Sequence, residues 1–379
     1  MKIDKGKLAK ALKQIGIFVG KNAIDKTVSL VHFRNENKKA MLFATDFASA
    51  GRAYFDTEED GLFEFCVGYD QLLQSTRARG KELEVSIYND RKSDAGESMS
   101  GIEITDGKSK FNLALHEIDL LKAQESATVI PTGVTYFEID AKTMKNAIRE
   151  AGFARDEKDT QNPFLTGINF EGCGDDISMV STNRHRIAGW KKPSAETLEG
   201  MEANVVNGIL APKTISSIGM YDDDETIRLY ITDSQIVIVS GNLEAYASKI
   251  MSTYPDVVQK MFTTEVLSSY RLSANELKES IEIVLGSEKS VTLEFHSDSV
   301  TVSTKSQTGD SATNDSFPCE RLSGDDEKIE LKADDILSVV KNISDDSMTI
   351  ALRKMGNGHK MLSYSFDDGA YGIMAPMTR

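Results

Sequence analysis

The hydrophobic pattern of this chain repeats three times, at intervals of about 135 residues. The segments Ile3-Asp4…Leu8…Ala11-Leu12…Ile15, Ile139-Asp140…Met144…Ala147-Ile148…Ala151 and Leu272-Ser273…Leu277…Ser280-Ile281…Val284 align without a gap. Each opens on an Asp or Ser suited to cap a helix. Each then places apolar residues at i, i+3, i+4 and i+7, which fall in one stripe on a helix surface.

A second element recurs on the same period. Val67…Leu72, Leu210…Ile215 and Leu331…Ile336 each predict a short helix, followed by an alternating strand at Leu83-Val85-Ile87, Ile227-Leu229-Ile231 and Met348-Ile350-Leu352. The pattern predicts helix, strands, helix, strands, three times over, with six helices in all. The fold class is α+β: three repeated domains, each with two helices packed on antiparallel sheets. Polar connectors at Ala123–Gly133 and Pro255–Ser269 set the domains at residues 1–125, 132–258 and 266–379.

Composition narrows the class. A chain of 379 residues with 40% hydrophobic content can bury three cores, and no apolar run approaches a membrane span. Met1-Lys2-Ile3-Asp4 leads directly into the first repeat, so no signal peptide is expected. Cys66, Cys173 and Cys319 fall one to a domain without CxxC spacing, which predicts reduced, small hydrophobic residues in a cytoplasmic protein rather than disulfides or zinc.

A formal net charge of −15 would ordinarily exclude a polyanionic partner, but the charge is unevenly distributed. Lys5, Lys7, Lys10 and Lys13 crowd the first predicted helix, Arg77, Arg79 and Lys81 follow the second, and Lys142, Lys145 and Arg149 lie on the third. Acid collects in turns such as Asp222-Asp223-Asp224-Glu225 and Asp325-Asp326-Glu327. Basic faces on selected helices of an acidic protein suit the channelling of a polyanion. The helix opening at Ser273 departs from this, because Glu276, Glu279 and Glu282 outnumber Lys278.

Catalytic chemistry finds little support. His185 beside Arg186 has no Ser, Cys or carboxylate motif to work with, and the Asp222–Asp224 run reads as a solvated turn. No enzyme activity, metal or cofactor is expected.

Four stretches carry a resemblance. Phe164-Leu165-Thr166-Gly167-Ile168-Asn169-Phe170-Glu171, Val180-Ser181-Thr182-Asn183-Arg184-His185-Arg186-Ile187-Ala188, Tyr254-Pro255-Asp256 and Tyr371-Gly372-Ile373-Met374-Ala375-Pro376-Met377 resemble, in order and separation, signatures of the bacterial DNA polymerase III β sliding clamp family. The resemblance runs from the first residue to the last. It implies a DNA-clamp fold and a head-to-tail homodimer closed into a ring around double-stranded DNA. It also implies a processivity function, tethering the replicative DNA polymerase, the clamp loader and other proteins with a clamp-binding peptide. Helices packed side by side sit roughly 9 Å apart, so twelve around a circle leave a bore of about 34 Å and six only about 17 Å. Only the dimer admits a duplex.

Carried over residue by residue, the resemblance implies a peptide pocket lined by Phe164, Leu165, Thr182, Arg184, His185, Arg186, Ile187, Pro255, Ile373, Met374, Pro376 and Met377. It implies DNA-facing cations at Lys7, Lys10, Lys13, Arg77, Arg79, Lys142, Lys145, Arg149 and Lys213, and a dimer contact joining Phe111 and Leu113 to Val284 and Leu285. Three departures mark a divergent member: Arg184 where the family has glycine, Gln259-Lys260 after the Pro-Asp pair, and an inserted Ala375. Such drift suits a clamp serving its own replication system, for instance a phage or plasmid one. The alternative is an acidic three-domain interaction scaffold that does not encircle DNA.

Overall fold

The computed structural model describes residues 1–21, 25–92, 98–174, 176–192, 205–256, 260–305, 312–356 and 358–377, which leaves Gln259 outside the described residues. These residues form helices α1 (Lys5–Ile15), α2 (Tyr69–Ser75), α3 (Asp119–Ala127), α4 (Ala141–Gly152), α5 (Pro212–Ile218), α6 (Ala274–Leu285) and α7 (Ala333–Asn342). All six expected helices are among them. The Asp4 carboxylate accepts the Lys7 N–H at 2.9 Å to open α1, and the Ser273 hydroxyl accepts the Glu276 N–H at 3.1 Å to open α6. The repeated stripes are buried as the spacing predicts: Leu8, Ala11, Leu12 and Ile15 on α1, Met144, Ala147 and Ala151 on α4, Leu277, Ile281 and Val284 on α6. Each large side chain so buried stabilises by roughly 1.5–3 kcal/mol.

Helix α3 corrects the expectation of a polar connector from Ala123. Its Leu121 is fully buried among Phe43, Cys66, Tyr230, Val237 and Tyr246, so one apolar anchor organises an otherwise polar stretch. Arg52 fastens the end of α3, donating to the carbonyls of Glu125 and Thr128 while pairing with Glu244 at 2.9 Å. His32, also buried, bridges Glu125 of α3 and Glu64 of the sheet at 2.7 and 2.9 Å.

The chain divides into two compact units, Met1–Lys142 with Ala211–Lys249, and Thr143–Leu210 with Ile250–Arg379. The first unit holds a four-stranded sheet in the order Lys2–Asp4, Glu82–Lys92, Ser98–Thr105, Lys110–Ala114. It also holds an eight-stranded sheet in the order Phe63–Gly68, Leu30–Glu36, Lys39–Thr45, Ser49–Asp56, Leu243–Ser248, Gln235–Val239, Thr226–Ile231, Tyr136–Asp140. The second unit holds a four-stranded sheet ordered Ala312–Pro318, Ser299–Lys305, Ser290–Phe295, Glu327–Lys332. Its nine-stranded sheet runs Val206–Leu210, Ile168–Cys173, Asp176–Thr182, Arg186–Lys192, Ala370–Met374, Lys360–Phe366, Ser347–Lys354, Val266–Ser273, Glu320–Ser323.

Each large sheet is therefore two smaller ones joined edge to edge by an antiparallel pair. Ser49–Asp56 meets Leu243–Ser248 in one unit, and Arg186–Lys192 meets Ala370–Met374 in the other. Small residues recur in both joints: Gly51 opposes Ala245 and Ala188 opposes Gly372, while Ala50 faces Tyr246, Ala53 faces Leu243, Gly189 faces Tyr371 and Ala370 faces Trp190. Their smallness makes room for neighbours, since a Cβ added at Gly51 would overlap the ring of Phe18, and one at Gly189 the ring of Tyr371.

Candidate functional site

A tight turn builds one wall of the site. The Thr182 hydroxyl donates to the Arg186 carbonyl at 2.8 Å and accepts the Arg184 N–H at 3.1 Å, while Asn183 Oδ1 accepts the N–H groups of His185 and Arg186 at 3.1 and 3.0 Å. This closes the hairpin and forces Arg184 into the left-handed region at φ 74°. The same hydrogen bonds recur in Thr45-Asp46-Phe47-Ala48-Ser49 and Thr105-Asp106-Gly107-Lys108-Ser109, whose third residues lie at φ 68° and 82°. The turn asks for glycine at its third position, and Gly107 meets the demand without Cβ crowding.

Beside this turn lies a cavity of about 190 Å³ within the second unit. The short 3-10 turn Pro163–Thr166 contributes Phe164 and Leu165; the hairpin contributes Thr182, Arg184, His185, Arg186 and Ile187; Pro255 and Ile373 complete the expected side, and Ala375 joins them unexpected. Met261, Met355 and Met361 form the rest of the lining, and the sequence reading missed them. Their signal was faint, because methionine carries no motif and the three lie on separate segments.

Three expected lining residues do not line the cavity. Met374 is 1% exposed, because side chains alternate along its strand and Ile373 and Ala375 take the cavity face. Pro376 is half-buried outside the cavity, and the Met377 N–H donates to the Glu330 carbonyl at 3.0 Å, which carries the tail away. Ala375, the apparent insertion, is part of the wall.

Among the described residues the lining holds two arginines, a histidine and no carboxylate, in a chain of net charge −15. Arg186 is committed to structure: its guanidinium donates to Asp335 at 3.1 Å, Ser338 at 2.7 Å and the Phe153 carbonyl at 2.8 Å. Arg184 reaches Asp159 at 3.3 Å, and the N–H of Asn162 helps hold that carboxyl below the usual carboxylate range. Tyr254, edge-to-face with Phe164 at 6.1 Å, has a phenol raised by burial, and its hydroxyl has no partner among the described residues.

The expected polyanion-facing cations divide into two sets. Lys13, Arg77, Arg79 and Lys142 are exposed, with no carboxylate at ion-pair distance among the described residues. Lys7 donates to the Asp56 carbonyl at 3.0 Å, Lys10 pairs with Asp222, Lys213 with Asp46 at 3.1 Å, and Arg149 with Glu150 at 2.9 Å. Lys145 is half-buried on α4. Of the expected dimer residues, Leu113 and Val284 are 2% and 3% exposed and already belong to the core of the single chain. Phe111 and Leu285 are half-buried, whereas Ile283, which the sequence reading passed over, is 64% exposed on α6.

Among the described residues no cluster of three or more His, Cys, Asp or Glu could hold a metal ion, and no helix is long and apolar enough to cross a membrane. Burial pushes the Cys66 thiol up to about 12, which leaves it a protonated core residue.

Solved structures share this architecture across its whole length. A sliding clamp from Pseudomonas aeruginosa bound to griselimycin matches with a TM-score of 0.83 at 16% identity, covering 100% of this chain and 99% of that one. A Helicobacter pylori beta clamp bound to a DNA ligase peptide matches at 0.82 and 16%, covering 100% of each. The fold is that of a DNA sliding clamp. In sequence, residues 138–256 match the central domain of the DNA polymerase III beta subunit, and the beta sliding clamp of Halalkalibacterium halodurans is 21% identical over 222 residues. That alignment takes in 57% of each chain, so the sequence spans little more than half the length of the curated relative it matches. The central third of the chain is thus similar to the central domain of the DNA polymerase III beta subunit, and the whole chain shares the sliding-clamp fold.

Proposed function

We propose that this protein is a processivity clamp: two copies close head to tail into a ring that encircles duplex DNA, and the methionine-lined cavity receives a short peptide from a replicative polymerase, a clamp loader or another partner. The observation that carries the ring is the way the sheets are joined. The strand Ser49–Asp56 pairs with Leu243–Ser248, and its counterpart one repeat later, Arg186–Lys192, pairs with Ala370–Met374. The third counterparts, Ala312–Pro318 and Lys110–Ala114, each end a four-stranded sheet with an edge that pairs with no other strand among the described residues. Pairing these two edges between copies repeats the same joint twice more and leaves none of the six repeats open. On this reading the repeats are domains at 1–125, 132–258 and 266–379, and the ring works by encirclement in the cytoplasm, without catalysis or cofactor.

The cavity supports the tether. It is largely apolar, free of carboxylates among the described residues and bordered by methionines, whose flexible, polarizable side chains adapt to varied ligands. A leucine-aromatic pair would fill it, and an acidic neighbour would meet Arg184 and His185. The deciding experiment is co-elution with a nicked circular plasmid after loading. Retention lost on linearisation is the expected result; retention indifferent to linearisation, or none on either form, would favour a scaffold that never encircles DNA.

A further inference from the structure

Lys10 and Lys213, two of the cations expected to meet phosphate, already have anions of their own. Lys10 pairs with Asp222, and both side chains remain about half exposed. The Asp222–Glu225 turn that presents this carboxylate is anchored rather than loose. The Asp222 N–H donates to the Glu225 carboxylate at 3.1 Å, the Glu225 N–H returns to the Asp222 carbonyl at 3.1 Å, and the Glu225 carbonyl accepts the Ala141 N–H at 2.8 Å. Asp224 and Glu225 add to the field on Lys10, whose ammonium is held above its usual range chiefly by the bond to Asp222. Lys213 is held in the same way, by Asp46 at 3.1 Å and by the Ile17 carbonyl.

We propose that Asp222 and Asp46 are built-in competitors for DNA phosphate, which occupy Lys10 and Lys213 and keep the grip on the duplex weak enough to slide. The inference rests on the encircling-clamp reading. A lysine with no partner gains a full phosphate contact and releases a condensed counterion. A lysine that must leave a carboxylate exchanges one anion for another, and the carboxylate it abandons recruits a cation from solution. Its net contribution to affinity and to salt dependence therefore falls towards zero. Lys13, Arg77, Arg79 and Lys142, without such partners, supply the attraction; Lys10 and Lys213 are held in reserve.

The test is fluorescence anisotropy of a labelled duplex oligonucleotide with the full chain over a series of salt concentrations. Asp222→Asn and Asp46→Asn should each tighten binding at low salt by up to about fivefold, the most an exposed ion pair of about 1 kcal/mol can return. Each should also steepen the plot of log affinity against log salt by about one. Adding Lys10→Gln to Asp222→Asn should abolish that gain. Asp233→Asn, the same change of net charge in a different turn, should do nothing. An equal gain from Asp233→Asn, or wild-type affinity and slope in both acid variants, would overturn the inference. If Lys13→Glu with Lys142→Glu also leaves binding unchanged, the DNA reading itself fails; if that pair weakens binding while the acid variants are silent, only the competition fails.

Discussion

Arg184 is in the wrong conformation for its side chain, and the hairpin around it explains why. Two side-chain hydrogen-bond networks close the turn only if the third residue is left-handed, at a cost of about 1–2 kcal/mol for a residue with a Cβ. Arg184→Gly should therefore raise thermal stability by about 1 kcal/mol, since the exposed pair with Asp159 contributes little. At the cavity, Met355→Glu should weaken a leucine-aromatic peptide by well over about tenfold, the loss of one buried anchor. Met374→Ala should instead cost roughly 2–5 kcal/mol of stability and leave affinity in the folded protein alone, because Met374 is core. Peptide titration and thermal melts on the three variants read both quantities. Most of the cavity was legible from sequence because it is built on the Thr182–Ile187 hairpin and the Phe164-Leu165 turn, which are continuous stretches. Met261, Met355 and Met361 were not, because only the folded chain brings them together, and Met374 was misplaced because its strand phase cannot be read so close to the chain end.

Helix α4 carries one residue at odds with its setting. Glu150 is 4% exposed, and burial raises its carboxyl above the ordinary range although Arg149 at 2.9 Å pulls the other way. A carboxyl whose folded pKa exceeds its unfolded value, near about 4.3, destabilises the fold when ionised. The penalty is full above the folded pKa and disappears as pH falls below the unfolded one. Glu150→Gln, which keeps an acceptor for Arg149, should raise the urea midpoint at pH 7, and the difference should shrink to nothing below about pH 4. A difference that grows on acidification would show that the Arg149 pairing outweighs the burial. Elements with a full stripe, such as α1, α4 and α6, were legible in the chain because four or five apolar positions share one spacing. Helix α3 was not, because Leu121 is its single buried apolar side chain, and one anchor makes no period.

At the scale of the whole molecule, the proposed ring would depend on the two sheet edges left unpaired among the described residues and on the apolar surface beside them. Ile283, 64% exposed on the helix that packs over Ala312–Pro318, is the residue a second copy should cover. Ile283→Asp should give a folded monomer by light scattering and abolish plasmid retention; an unchanged dimer would move the contact elsewhere. The joints already present within the chain bear on how such a protein drifts. Backbone amides and carbonyls run through both, the Arg52–Glu244 pair adds one side-chain tie in the first, and glycine and alanine do little more there than stand aside. A seam written in the main chain survives while the residues around it are replaced one by one, provided the replacements stay small. The same architecture can therefore be spelled by sequences that share only 16% of their residues, because the seam asks little of the letters around it.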